Sequence, residues 1–211
     1  MLRLLALTLL LITGFALADE TVQDAARLAR QLLQQETIGN LATVFPSSHP
    51  VLPGQPFSLM ECFAPCHSNG SLTLLFLPIA QNNRNILASP YHSATLTVRV
   101  RDPSSPYDSE GKGWDSPASR GRVALIGNVT VTGKDGSDVE ECYLESHPDA
   151  EGWLPGRKEA PHNAYWARFD PHHIYWVGGF GDEHYIGYIP LDLYQKAAPI
   201  VNGMSEPLII Q

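Results

Sequence analysis

Beyond its first eighteen residues the sequence has no apolar run close to the eighteen or so residues that a membrane-crossing helix requires, so no span is expected in the mature chain. Positive charge is scarce: 14 Lys and Arg stand against 22 Asp and Glu, a formal net charge of −8. A chain this acidic is repelled by nucleic-acid backbones and anionic lipid surfaces, which argues against both as partners. Cysteine is scarcer still, at three. Cys62 and Cys66 have three residues between them, one too many for a thioredoxin-type C-x-x-C, and no zinc-ligand spacing surrounds them. Walker and G-x-S-x-G sequences are absent, which removes a P-loop and a hydrolase nucleophile elbow. No two of the eight histidines have the i, i+4 spacing of a metalloprotease helix. Adjacent His172 and His173 would point to opposite faces of a strand, and with His147, His162 and His184 they read as surface or network groups, so no metal site is expected.

What is present begins with residues 1–18, "MLRLLALTLLLITGFALA": a basic start at Arg3, an apolar run, and an A-x-A site ahead of Asp19. This is the pattern of a signal peptide. It predicts entry into the secretory pathway, ending outside the cell or in a vacuolar or endolysosomal lumen, with 19–211 forming a single domain. In that setting Asn69-Gly70-Ser71 and Asn128-Val129-Thr130 are N-glycosylation sequons, on exposed turns or strand faces. An oxidising lumen also turns three cysteines into one pair and one leftover thiol. Cys66 with Cys142 would tie a turn to a distant helix, and Cys62 with Cys66 would close a tight local loop; the spacing leaves both open.

Periodicity predicts an opening helix, with Thr21 to Asp24 in capping-box form and Val22, Ala25, Ala26, Ala29, Leu32 and Leu33 on one face, ending before Gly39. Short strands follow at about 41–45, 57–63, 72–77, 94–101, 122–132, 165–180 (with a bulge near Asp170-Pro171) and 184–189. Helices are expected at 137–147 and 191–198, and a long polar Pro/Ser/Gly-rich loop at 102–121. The fold class is therefore mainly β with flanking helices, and a closed or nearly closed barrel hides the edges of that many strands.

Gly178, Gly179 and Gly181 suggest a dinucleotide cradle. The fingerprint fails, because His184 stands where the third glycine belongs and the run after it alternates like a strand. A bulged turn joining the last two barrel strands is the expectation instead.

Ordered blocks across the chain carry a resemblance. "DAARLARQLL", "NLATVF", "GQPFSLMECF", "LLFLPIAQNNRNILASPYHSATLTV", "RVALIGNVTVTG", "HPDAEGWLPG" and "HNAYWARFDPHHIYWVGGFGDEHYIGYIP" occur in the order seen in the CREG-like family, from about Asp24 to Gln195. That resemblance implies a six-stranded split β-barrel of the FMN-binding, pyridoxamine 5'-phosphate oxidase-like type, in a homodimer with a cleft at the subunit boundary. It also implies where an FMN phosphate would be held: Arg84, Asn85, Ser93 and Thr95. The basic cluster is thin, since lysine is absent from this region. The resemblance extends to a lineage whose flavin cleft is filled by protein and shows no catalysis, a part open here to the 102–121 loop. Two functions follow: a non-catalytic homodimeric glycoprotein that binds a protein or receptor partner and carries no FMN, or an FMN-dependent oxidoreductase.

Overall fold

The computed structural model describes residues 20–100, 117–181 and 184–198. Helix α1 (Val22–Gln35) begins where the Thr21 hydroxyl accepts from the Asp24 N–H and the Asp24 carboxylate accepts from the Thr21 N–H, satisfying two groups that a helix start leaves open. Its Ala25, Ala26, Ala29, Leu32 and Leu33 stripe is buried, as is Arg30, which donates to the carbonyls of Ser68 and Tyr194. Then come β1 (Ile38–Val44), β2 (Pro56–Ala64), β3 (Leu72–Phe76), α2 (Gln81–Ala88), β4 (Ser93–Arg99) and β5 (Arg122–Gly133). The rest is α3 (Glu140–Ser146), a 3₁₀ segment (Pro148–Trp153), β6 (Tyr165–Val177), β7 (Ile186–Ile189) and α4 (Leu191–Lys196).

All strand pairs are antiparallel, in the order β3-β2-β1-β4-β5-β6, and pairing of β3 with β6 closes a six-stranded barrel. One seam is thin: β2 meets β3 only at Phe63 opposite Leu74 and Ala64 opposite Thr73, while the rest of β2 pairs with β1 alone. Strand β7 pairs with β6 outside the closed ring, so the glycine turn joins the barrel's last strand to an appended one, a correction to the expected pair of barrel strands.

Alternation sorts the wall into two faces. Leu72, Leu74 and Phe76 on β3, with Ala167 and Phe169 on β6, enter the main core with Leu41, Leu96, Leu125 and Ile174. Each fully buried leucine or phenylalanine there contributes roughly 1.5–3 kcal/mol. Leu75 and Trp166, opposite each other on the outer face, join Ala64, Val139, Tyr143, Ala150 and Leu154 in a second cluster under α3 and the 3₁₀ segment. The Cys66–Cys142 disulfide pins α3 to the end of β2, and Cys62 is a free thiol.

Three local readings change. Helix α2 was not expected; its N-cap Ala80 makes no side-chain cap bond, and its asparagines are held by tertiary partners. Helix α3 starts at Glu140, because Ser137 is occupied in a turn with Asp135. The register slips where His173 faces Ile126 and Pro171 faces Gly127, so His172 is the extra residue of a bulge. Both His172 and His173 are consequently exposed, with rings 4.9 Å apart, and not on opposite faces. Residues 1–19 and 101–116, with the leader and most of the 102–121 loop, lie outside the described residues.

Candidate functional site

The four residues implied to hold a phosphate occupy two places. Asn85 is buried on α2; its amide N–H donates to the Thr43 hydroxyl at 3.0 Å, and its oxygen accepts from Gln81 at 2.8 Å. These bonds fasten α2 to β1. Arg84, one position earlier, is exposed and donates through Nε to the Pro78 carbonyl at 3.4 Å. Thr95 is half-buried and Ser93 exposed on β4, and Thr95 lies opposite Ala42 of β1. Thr43, the anchor of Asn85, follows Ala42 and so faces the other side of the strand. Asn85 and Thr95 are thereby on opposite sides of the barrel wall, so these two do not meet at one phosphate.

Chemistry gathers elsewhere. Between β2, the end of β3, α3 and the 3₁₀ segment is a cavity of about 280 Å³. Leu75 and Leu77 supply an apolar side, Tyr143 and His147 the α3 side, and Trp153 of the "HPDAEGWLPG" connection stands at the edge, 45% exposed. The His147 ring is buried, and its Nε2 lies 2.9 Å from the Phe63 carbonyl, which accepts and so assigns the hydrogen to Nε2. Two carboxyl groups line the cavity, Glu61 and Asp149, and no Lys or Arg does.

Glu61 is half-buried, and no other side chain engages its carboxyl among the described residues; the Cys62 backbone N–H is its polar neighbour. Burial pushes this carboxyl up to about 7, against the smaller opposing pull of that N–H. Burial also pushes the Cys62 thiol up, helped by the negative charges of Glu61 and Asp149, so Cys62 is not an activated nucleophile. Tyr143 is raised as well, first by burial and then by Cys62, Glu61 and Asp149. The sequence places Tyr143 within the expected 137–147 helix, and Asp149 and Trp153 within the "HPDAEGWLPG" block. It had no signal for Glu61, whose role comes from what is packed over it.

The glycine turn holds a different acid. Glu20 Oε1 accepts from Trp176 Nε1 at 2.7 Å, and its Oε2 lies 2.8 Å from His184 Nδ1. A Cβ on Gly178 would overlap that carboxylate, and one on Gly179 would meet the His184 ring and the Ser119 carbonyl. The two sequons border a common outer-face network. The Ser71 hydroxyl donates to Asp170 at 2.6 Å, Arg168 donates to both, and Asn128 lies opposite Asp170, with its Oδ1 3.3 Å from His172 Nε2. Asn69 accepts from the Ser71 N–H at 3.1 Å. Among the described residues, no cluster of His, Cys, Asp or Glu is arranged to hold a metal ion.

Comparison with known proteins places this geometry. The profile of the family described as "CREG, beta-barrel" matches residues 20–196. A heme binding protein from Mycobacterium smegmatis is similar in structure, with a TM-score of 0.62 at 18% identity over 83% of this chain and 61% of that one. A protein of unknown function from Agrobacterium tumefaciens gives 0.54 at 18% identity over 74% of this chain and 57% of that one. The chain thus spans about three fifths of the length of each of these two solved proteins. At such identities the likeness is one of fold. No curated protein sequence matches the chain.

Proposed function

The chain belongs to the CREG β-barrel family, and from that premise we propose that it is a non-catalytic, homodimeric glycoprotein of the secretory pathway, extracellular or in a vacuolar or endolysosomal lumen, that acts by binding a protein partner. One observation carries the non-catalytic reading: of the groups suited to an FMN phosphate, Asn85 is already committed to Thr43 and Gln81, on the opposite side of the barrel wall from Thr95. A flavin phosphate needs several converging donors, and losing one charge-assisted contact costs about 1.5–3 kcal/mol. The only cation in the set, Arg84, stands exposed on α2. Leader and sequons support the compartment and the glycans.

The open edge of β2 supports the dimer. Along that edge Leu59 and Met60 are 56% and 60% exposed, and Val44 of β1 is 56% exposed. Apolar side chains on an unpaired edge are a template for another chain, and a second copy covers them without leaving a new edge.

The native glycoprotein, purified without added cofactor, is expected to show no flavin absorbance band and no heat of FMN binding in calorimetry. A yellow protein with near-stoichiometric FMN would replace this reading with an FMN-dependent oxidoreductase. That alternative has one favourable observation: the Arg84 guanidinium makes no ion pair among the described residues. Light scattering is expected to give a dimer, and Met60→Glu a monomer; a monomeric wild-type protein would remove the dimer.

A further inference from the structure

We propose that the cavity between β2, β3 and α3 is a binding site for a small organic cation, an amine or ammonium group carried on an aromatic or branched apolar body. The inference is independent of whether the chain carries FMN. Three features converge on it.

The first is uncompensated negative charge. Glu61 is half-buried with no cationic partner, and Asp149 adds a second carboxylate at the exposed side of the cavity. A carboxylate taken out of water without a partner is costly, and the chain responds by holding the Glu61 proton up to about pH 7. An ammonium group seated beside Glu61 supplies the missing charge and displaces that proton. Anionic ligands are disfavoured by the same two groups.

The second is an unoccupied donor and acceptor aimed into the space. Tyr143 is 1% exposed and lines the cavity, and its hydroxyl makes no hydrogen bond among the described residues, which leaves it open to a ligand. Glu61 and Asp149 lie close enough to act on its ionisation, so an ammonium group bound beside it sits in the field of both carboxylates.

The third is the apolar and aromatic frame. Leu75 and Leu77 receive a hydrocarbon body, and the partly exposed Trp153 offers a π-face to a cation, the residue type best suited to that contact. A volume of about 280 Å³ exceeds the roughly 150 Å³ of an apolar cavity that takes up benzene, which suits a one-ring amine.

Calorimetry with phenethylamine, its neutral analogue 2-phenylethanol and the anion phenylacetate tests this on the full-length native protein. The expected order is amine, then alcohol, with no binding of the anion. Glu61→Gln keeps the shape and should weaken the amine about tenfold or more while leaving the alcohol unchanged. Amine affinity should rise with pH between about 5 and 8, with proton release on binding near pH 6 that Glu61→Gln abolishes. The other titratable groups facing the cavity are Asp149, Cys62, Tyr143, His147 and His162, so the variant isolates the share of Glu61. Near-UV circular dichroism checks that the variant is folded, and Trp153→Ala should weaken the amine from the opposite wall. The proposal is overturned if phenethylamine does not bind, binds no tighter than 2-phenylethanol, or binds the folded Glu61→Gln variant as tightly as wild type.

Discussion

The Glu20 carboxylate accepts a 2.7 Å hydrogen bond from the Trp176 indole, 156 positions later, and its other oxygen meets His184. The segment leading into α1 is thereby fastened to the turn between β6 and β7. Glu20 has a 9% exposed side chain, so the charge is held where water cannot replace the lost bonds. Glu20→Ala should cost about 2–3 kcal/mol in urea unfolding. Gly178→Ala should also destabilise, because its Cβ would displace the same carboxylate. The double variant should then cost less than the sum, and strict additivity would show that the two positions do not share this contact.

Asn85 gives a test that separates structure from ligand binding. If its amide exists to hold α2 against Thr43, Asn85→Ala leaves a buried hydroxyl without its donor and lowers stability by about 1–3 kcal/mol. A residue kept free for a phosphate would show the opposite pattern, with unchanged stability and weakened FMN binding.

The disulfide prediction concerns which cysteine matters. Bridging residues 76 apart removes about 4–5 kcal/mol of chain entropy from the unfolded state. Cys142→Ser should therefore cost about 2–5 kcal/mol, whereas Cys62→Ser should stay within about 1 kcal/mol. Thiol titration of the denatured, unreduced protein should find one reactive group, and finding three would refute the pairing.

Glu61 should leave a signature in stability against pH. Its folded pKa, about 7, lies above the ordinary 4.5, so the native state binds more protons than the unfolded state between those values. Stability from this group is full below about pH 4.5 and falls as pH rises toward 7. Glu61→Gln should thus match wild type at low pH and exceed it above pH 7, by on the order of 1–3 kcal/mol. Equal urea midpoints at both ends would mean that the carboxyl is not buried in the native protein.

Much of the barrel was legible because its strands carry strong local signals. Val123, Leu125 and Val129 alternate toward the core along β5, and Thr21 with Asp24 announces α1. Helix α2 was not legible, since "QNNRNILA" has weak helix formers and no cap, and is stabilised by Thr43 and Leu77, which a local window does not weigh. His172 and His173 were misassigned because a one-residue bulge reverses strand parity, and Gly127, whose Cβ would strike the Asp170 backbone, was the cue to it. The cavity was beyond local reading altogether. Glu61 and Tyr143 are far apart in sequence and acquire meaning only when α3 is folded back over the end of β2.

The meeting of β2 with β3 at only two residue pairs gives the barrel a hinge line in time as well as space. In the monomer expected from Met60→Glu, amide hydrogens along 57–62 should exchange well before those of β5 and β6, which are paired over most of their lengths, whereas in the dimer a second copy on this edge should protect them. Cys66 is tethered just past the end of that line, so the wall can part from the Pro56 side only. Each such opening in the monomer would unroof Glu61 while the rest of the ring stays shut, so assembly of two copies on this edge would also steady the wall of the cavity beside it.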